Sequence, residues 1–451
     1  MLKQSAVDMT EGPITKKLLL FSLPIMLSGI LQLLYNAADV VVVGRFAGHT
    51  SLAAVGSTSS LVTLITNFAM GLSVGVNVII ARHIGAKDSE RVDKALHTAA
   101  TLSIFAGIIT AVLGFFISRT ALELMGSPAD VIDKSTLYLK IYFLGAPASV
   151  IYNFGSAALR SAGDTTRPLY FLTASGIVNV LLNLVFVIVF HMDVAGVALA
   201  TIISQYMSAA LVVMALKKGQ GMLFLRLSSI CFDKKEFGEI IRLGIPAAIQ
   251  SSAFSISNVI LQSGVNSFDD SLIIAGNSAA SNIEGFIYVS LNAFHQTAVN
   301  FMGQNAGAGQ YKRVSRTLWI CLGSVTVVGL AVGSLAYLFG PSLLSLYITD
   351  SQEAISYGML RLSLISLTYF LCGLMDVSTG ALRGLGESFI PMVISVLGVC
   401  GIRIGWIYTI FQLPQFHTPQ CLYLSYPISW AITFLCQMFA FLLVYRKLKQ
   451  D

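Results

Sequence analysis

Asp39 stands beside four valines in YNAADVVVVGRF. The preceding apolar stretch carries no charge after the two lysines at its start. A carboxylate in such surroundings costs roughly 2.5–3.5 kcal/mol on the mildest membrane scale, so it needs a chemical reason to be there. It lies 22 residues after Lys17, which at 1.5 Å per residue is ~33 Å of helix. Asn179 and Asn183 are four apart and so share one helix face. Thr201 and Asn153 fall in the neighbouring apolar segments. One carboxylate with amide and hydroxyl oxygens suits a Na⁺ ion at Asp39, or hydrogen bonding to an Asp39 that takes up and releases a proton. Plain interhelical hydrogen bonding is the alternative reading of the asparagines, and a carboxylate at the membrane edge beside Arg45 is that of Asp39.

A second polar group lies in the other half of the chain: Glu284, His295, Asp376 and Arg403. Glu284 falls ~18 Å into its segment and Arg403 ~22 Å into another. Similar depth makes them an expected charge pair, either locking a helix bundle or serving coupling or substrate. His295 comes three turns after Glu284 on the same face. Asp376, two turns before Arg383, is expected near the wetted end of its helix.

These residues must be positioned by membrane helices. The chain has 451 residues, 55% apolar and 11% charged, against about 25% charged in soluble domains. Its apolar runs are long and continuous, which fits helices rather than an alternating barrel. They fall near 17–44, 52–81, 95–118, 132–158, 168–191, 194–216, 239–266, 272–303, 315–340, 354–381, 388–412 and 421–445. Lysines and arginines concentrate in the N-terminal segment, alternate connections and the C-terminal tail. The opposite side holds Arg45, Arg119, Lys134 and Lys140, so both termini are expected in the cytoplasm. This accounts for the net charge of +6 without a nucleic-acid partner. The six cysteines are scattered and show no CxxC spacing, which argues against disulfides and zinc. No cleavable leader is expected at the N-terminus.

The chain repeats itself. ALRSAGDTTRP at 158–168 recurs as ALRGLGESFIP at 381–391, and IGAKDSERVDKA recurs as AGAGQYKRVSRT at an offset of 222. Pro24 answers Pro246 at the same offset. The implied organisation is a cytoplasmic segment 1–16, an N-lobe 17–218, a linker 219–235, a C-lobe 236–447 and a tail 448–451. Each lobe would hold six helices, so the fold class is an all-α membrane protein of twelve spans in two pseudo-symmetric bundles. Parallel repeats of this kind are typical of secondary transporters. In each ALRxxGxxxxP motif glycine should end one helix and proline begin the next. Arg160 and Arg383 are expected to anchor those turns.

Across nearly its full length the chain resembles the multidrug and toxic compound extrusion (MATE) family, in the style of its bacterial branches. The resemblance is carried by SLPIMLSGILQLLYNAADVVVVGRFAG, LAAVG, ARHIGAKDSERVDKA, the two ALR motifs and MGQNAGAGQYKRV. It implies a V-shaped pair of bundles that open alternately to each side and expel organic cations in exchange for Na⁺ or H⁺. It also implies a coupling cluster at Asp39, Asn179, Asn183 and Thr201. Many relatives have an acid where Asn183 stands, which leaves Asp39 the lone carboxylate of that cluster. Neither acid of the Na⁺-coupled branch has a match in the second half: span 7 has none, and the span 10 position falls near Cys372. Arg82 replaces a usual glutamine that the second copy keeps as Gln304.

The resulting expectation is a secondary antiporter of the bacterial inner membrane, monomeric and without a cofactor beyond the coupling ion. It would export small amphipathic, cationic compounds. A flippase for a lipid-linked saccharide is the alternative. The chain is not expected to be an enzyme: no HExxH, paired-acid or Ser-His-Asp arrangement is present. No filter-like repeat suggests a channel.

Overall fold

The computed structural model describes residues 7–219, 222–226, 228, 232–349 and 351–450. Cys231 and part of the expected linker lie outside them. The described residues form helices and no strand. In hydrocarbon every backbone N–H and C=O must be satisfied within its own segment, and a helix does this.

The first half contains α1 (Ile14–Val42), α2 (His49–Gly85), α3 (Ser89–Leu124), α4 (Ile132–Leu144), α5 (Ala146–Ser161), α6 (Thr166–Leu184) and α7 (Asp193–Lys217). The second contains α8 (Lys234–Asn266), α9 (Ser271–Gly307), α10 (Tyr311–Leu338), α11 (Gly340–Leu344), α12 (Gln352–Ile365), α13 (Tyr369–Gly384), α14 (Phe389–Ser395), α15 (Ile402–Tyr408) and α16 (Pro419–Gln450). Among the described residues ten helical stretches are long and apolar enough to cross a membrane. The twelve-span fold is completed by α9, which is as long but falls short of that apolarity, and by α4 with α5. Residues 132–158, expected as one span, break at Gly145, because Pro147 lacks the N–H that would continue the ladder. Large apolar side chains such as Leu124 and Phe116 lie outermost, 85% and 76% exposed, as a lipid-facing surface requires.

The repeated motifs have the same backbone in both halves. Gly163 and Gly386 adopt left-handed φ of 89° and 91°. Asp164 N–H donates to Leu159 O at 3.0 Å, and Glu387 N–H donates to Leu382 O at 3.0 Å, closing both helix ends alike. The other repeated loop pairs Lys87 with Gly309, both left-handed, at φ 57° and 69°.

Two compact units are present. One comprises Leu27–Ala248 with Val7 and Asp8; the other comprises Met9–Met26 and Ile249–Asp451. The divisions therefore fall inside α1 and α8, each just after a proline, Pro24 or Pro246. Within the first unit the start of α8 crosses α2 at small residues, Gly71 and Gly75 facing Gly244 and Ala248. A Cβ on Gly75 would lie 2.1 Å from the Ile240 carbonyl oxygen, and one on Gly71 would lie 2.3 Å from the Ala248 Cα. Such contact lets two backbones pack by dispersion where no hydrophobic drive exists. An ionic cluster closes the same crossing. Glu236, buried, accepts from Arg91 Nε at 2.9 Å and faces His83 Nε2 at 3.0 Å, while Arg91 Nη2 donates to Glu239 at 3.1 Å. In the second unit α9 is central and packs on α13, α10 and α12.

Gly75→Ala should therefore lower stability by about 1–3 kcal/mol, the usual range for overpacking, read as a lower melting temperature in detergent. Gly56→Ala, where a Cβ meets nothing within 4 Å, should be neutral.

Candidate functional site

The four valines after Asp39 divide by face. Val40 and Val41 are exposed, whereas Val42 and Val43 are buried in a cluster with Tyr138 of α4 and Val194, Val197 and Ala198 of α7. That packing holds the end of α1 beside α6 and α7. Lower on α1, Tyr35 donates to Thr173 O at 3.3 Å, and its ring fills the space that Gly176 leaves open.

Asp39 is half-buried. Asn183 Nδ2 donates to Asp39 Oδ1 at 2.5 Å and to Asn179 Oδ1 at 3.3 Å. Asn179 Nδ2 in turn donates to Thr201 Oγ1 at 3.5 Å. The i, i+4 spacing on α6 thus joins three helices through one polar chain. Asn183 Oδ1 is buried with no hydrogen-bond partner. Among the described residues no ion pair joins Asp39 to Arg45, which is exposed. Asn153 donates within its own helix to Ser149 O at 2.9 Å, outside this chain of bonds. Five-residue π-helical turns come immediately after α1 and α6, at Val43–Ala47 and Val185–Val189. Such turns recur at functional positions in helices.

The second unit departs from the expected pairing. Glu284 pairs with Arg361, not Arg403. Arg361 Nε and Nη2 donate to its two carboxylate oxygens at 2.9 and 2.7 Å, and Nη1 donates to Asn277 Oδ1 at 2.6 Å. Depth along a helix sets height but not direction. Arg361 of α12 points at α9, whereas Arg403 of α15 points at α16. There Arg403 stacks over Tyr426, 4.2 Å from the ring centroid, with Trp430 at 5.5 Å.

The turn-anchoring role expected of Arg383 is also corrected. It is buried, and its Nη2 donates to Gln250 Oε1 at 2.8 Å. Asp376 is buried rather than wetted, and its backbone carbonyl accepts from His295 Nδ1 at 2.7 Å. Since a carbonyl only accepts, Nδ1 carries the ring hydrogen. Nε2 then presents its lone pair to Arg383 Nη1 at 3.5 Å. Both ring nitrogens are engaged, so His295 is built in as a structural bridge between α9 and α13.

Sequence reasoning missed two constellations. Asn277 and Glu284 are two turns apart on one face, a usable signal for an arginine partner. The His83–Glu236–Glu239 group had no such signal. Its ligand atoms lie within 4.8 Å of one another, but Arg91 already bonds both carboxylates, which makes it an ionic clamp.

Removing one partner of a buried ion pair leaves an uncompensated charge, at about 3–5 kcal/mol. Glu284→Leu should destabilise the protein by that order in thermal unfolding, and adding Arg361→Met should restore most of the loss. Equal melting of the single and double variants would show that the two residues are not coupled.

The comparisons agree with this architecture. The MatE family model matches residues 24–185 and 246–409, the two repeats. The chain is 30% identical over 401 residues to "Probable multidrug resistance protein YpnP" of Bacillus subtilis (strain 168), covering 88% of each chain. It is 27% identical over 436 residues to "Probable multidrug resistance protein YoeA" of the same organism, covering 94% of this chain and 93% of that one. It is 25% identical to the "FAD transporter" of Shewanella oneidensis, covering 86% of each. The fold matches a solved outward-facing multidrug resistance MATE transporter of the MOP superfamily with a TM-score of 0.93, at 21% identity and full coverage of both chains. With both repeats matched and the twelve-span fold in place, the chain belongs to the MATE family of multidrug efflux transporters.

Proposed function

We propose that this protein is a secondary antiporter of the bacterial inner membrane. It exports small amphipathic compounds, cationic ones among them, against an inward flow of H⁺ or Na⁺. Both termini lie in the cytoplasm. The observation that carries this reading is the polar chain Asp39–Asn183–Asn179–Thr201, which ends on a carboxylate with no basic counter-ion among the described residues and holds one buried, unpartnered amide oxygen. The names of relatives span multidrug resistance and FAD transport, which supports a broad class of organic cargo over one inorganic ion.

Asn183 suits either state of Asp39. To a carboxylate it presents its N–H₂, as here. To a protonated acid, or to Na⁺, its oxygen is the matching atom. Turning the amide gives Asp39 that oxygen but removes the bond to Asn179 Oδ1, so a change at Asp39 passes along α6 towards Thr201 of α7. Uptake of the ion thereby favours one packing of α1 against α6 and α7 over the other. Only such a difference in affinity between two states can drive exchange. Asn179 and Thr201 keep α6 and α7 in register while this happens.

Asp39→Asn should reduce export by reconstituted protein to background while insertion and melting temperature are kept. Asn183→Leu, which removes one hydrogen bond to a charged group, should weaken coupling by about tenfold or more. Imposing Na⁺ and pH gradients separately on liposomes identifies the ion. Export by Asp39→Asn at the wild-type rate under both gradients would end this assignment.

A further inference from the structure

Arg403 is a buried arginine of the second unit with no ion-pair partner among the described residues. It is 4% exposed. Its Nε donates to Ser429 Oγ at 3.0 Å, and Ser429 in turn donates to Tyr426 O at 2.8 Å. Nη2 is buried with no partner. Among the described residues no carboxylate pairs with it, whereas Arg361 is held by both oxygens of Glu284. Among the described residues the buried charged side chains of this unit are Glu284, Arg361, Asp376, Arg383 and Arg403: three guanidinium groups against two carboxyls. An intramembrane charge without its counter-ion marks a functional position by default.

The surroundings describe what would satisfy it. The guanidinium carbon lies over Tyr426, with Trp430 close by and Nε held by Ser429, so the group is steadied while Nη2 keeps its N–H groups unpartnered. A fixed guanidinium edge matches the two oxygens of a carboxylate or phosphate. The walls are aromatic: Tyr369 lies tilted 5.0 Å from Trp430, and Trp430 meets Tyr426 edge to face at 5.7 Å. Tyr369, Tyr426 and Phe254 are only half-buried, so the aromatic wall reaches the surface of the unit. A six-residue π-helical segment, Val396–Gly401, leads directly into α15 and Arg403, as such turns adjoin Asp39 and Asn183 in the first unit. In the repeat, an offset of 223 puts Arg403 at the register of Val180, beside Asn179.

We propose that Arg403, with Tyr426, Trp430 and Tyr369, forms an anion-recognising subsite for an aromatic compound bearing a carboxylate or phosphate group. The oxyanion takes the free guanidinium edge, and the ring lies against the half-exposed tyrosines after Tyr426 rotates aside. As a statement about exported substrate this rests on the transport reading above; as a statement about binding it stands alone. It extends the cargo from cationic amphipaths to anionic and zwitterionic ones.

The test is equilibrium binding to full-length purified protein in detergent. Radiolabelled benzoate and phenyl phosphate serve as probes, tetraphenylphosphonium as the cationic control and chloride as competitor. Both organic anions should bind saturably and raise the melting temperature. Arg403→Met should weaken them by about tenfold or more, and Arg403→Lys, which keeps the charge but loses the fork, should weaken them less. Tetraphenylphosphonium binding should survive in Arg403→Met, which also shows that the variant is folded; should that variant not fold, Arg403→Lys decides. Asp39→Asn should keep anion binding while losing export, so the two readings fail separately. Organic-anion binding that is absent at millimolar concentration, or indifferent to Arg403, overturns the proposal. Arg403-dependent binding of chloride alone, with no competition from benzoate or phenyl phosphate, overturns it equally.

Discussion

Hydrocarbon offers no hydrogen bond to an N–H, a carbonyl or a charge, and that absence organises this molecule. It makes the backbone helical. It requires helix ends to close on their own carbonyls, as at Gly163 and Gly386, or on a side chain, as where Asp270 caps α9 through Leu272 N–H at 2.8 Å. It removes the hydrophobic drive between helices, so α8 is held on α2 by backbone contact at Gly71 and Gly75 and on α3 by the Arg91–Glu236 pair. It also makes every buried polar group informative, because each must have found a partner or be kept for one.

What was legible in the sequence was what depends on neighbours along the chain. The spans could be read because apolar length alone sets them. The repeat could be read because the ALRxxGxxxxP turn is local: a left-handed glycine closes one helix and a proline opens the next, in both copies. Asn179 and Asn183 could be assigned to one face because four residues are one turn. The break at Gly145 was also local, and Pro147 was its signal, but apolarity masked it. The repeated loop at Lys87 shows the limit of such signals: the second copy marks its left-handed position with Gly309, and the first hides it behind a lysine.

What was not legible was direction around a helix axis relative to other helices. Depth arithmetic placed Glu284 and Arg403 at one height and made them a pair. The true partner, Arg361, was visible as an arginine within a span, but nothing in the sequence says that α12 rather than α15 faces α9. The same gap hid the contacts of Arg383 with Gln250 and His295, which require knowing that α8, α9 and α13 meet.

The two halves share a backbone but not an interior. At the offset of 222 Asp39 corresponds to Leu261, and at the offset of 223 Arg403 answers Val180 in the first half. The fold therefore does not require an acid or a base at either place, since one copy of the repeat does without each. Opposite charges that share one interior, as Glu284 and Arg361 do, saturate each other with two hydrogen bonds and become part of the framework. Among the described residues, Asp39 escapes that end because the first unit gives it amides and a hydroxyl but no base, and Arg403 escapes it because the second unit gives it aromatic faces and Ser429 but no acid. Neutral partners steady a charged group in low dielectric without cancelling its charge, and on the readings proposed above that leaves Asp39 to exchange a small ion and Arg403 to take an anionic ligand. A transporter that must bind and release in each cycle needs charges kept in that unfinished state.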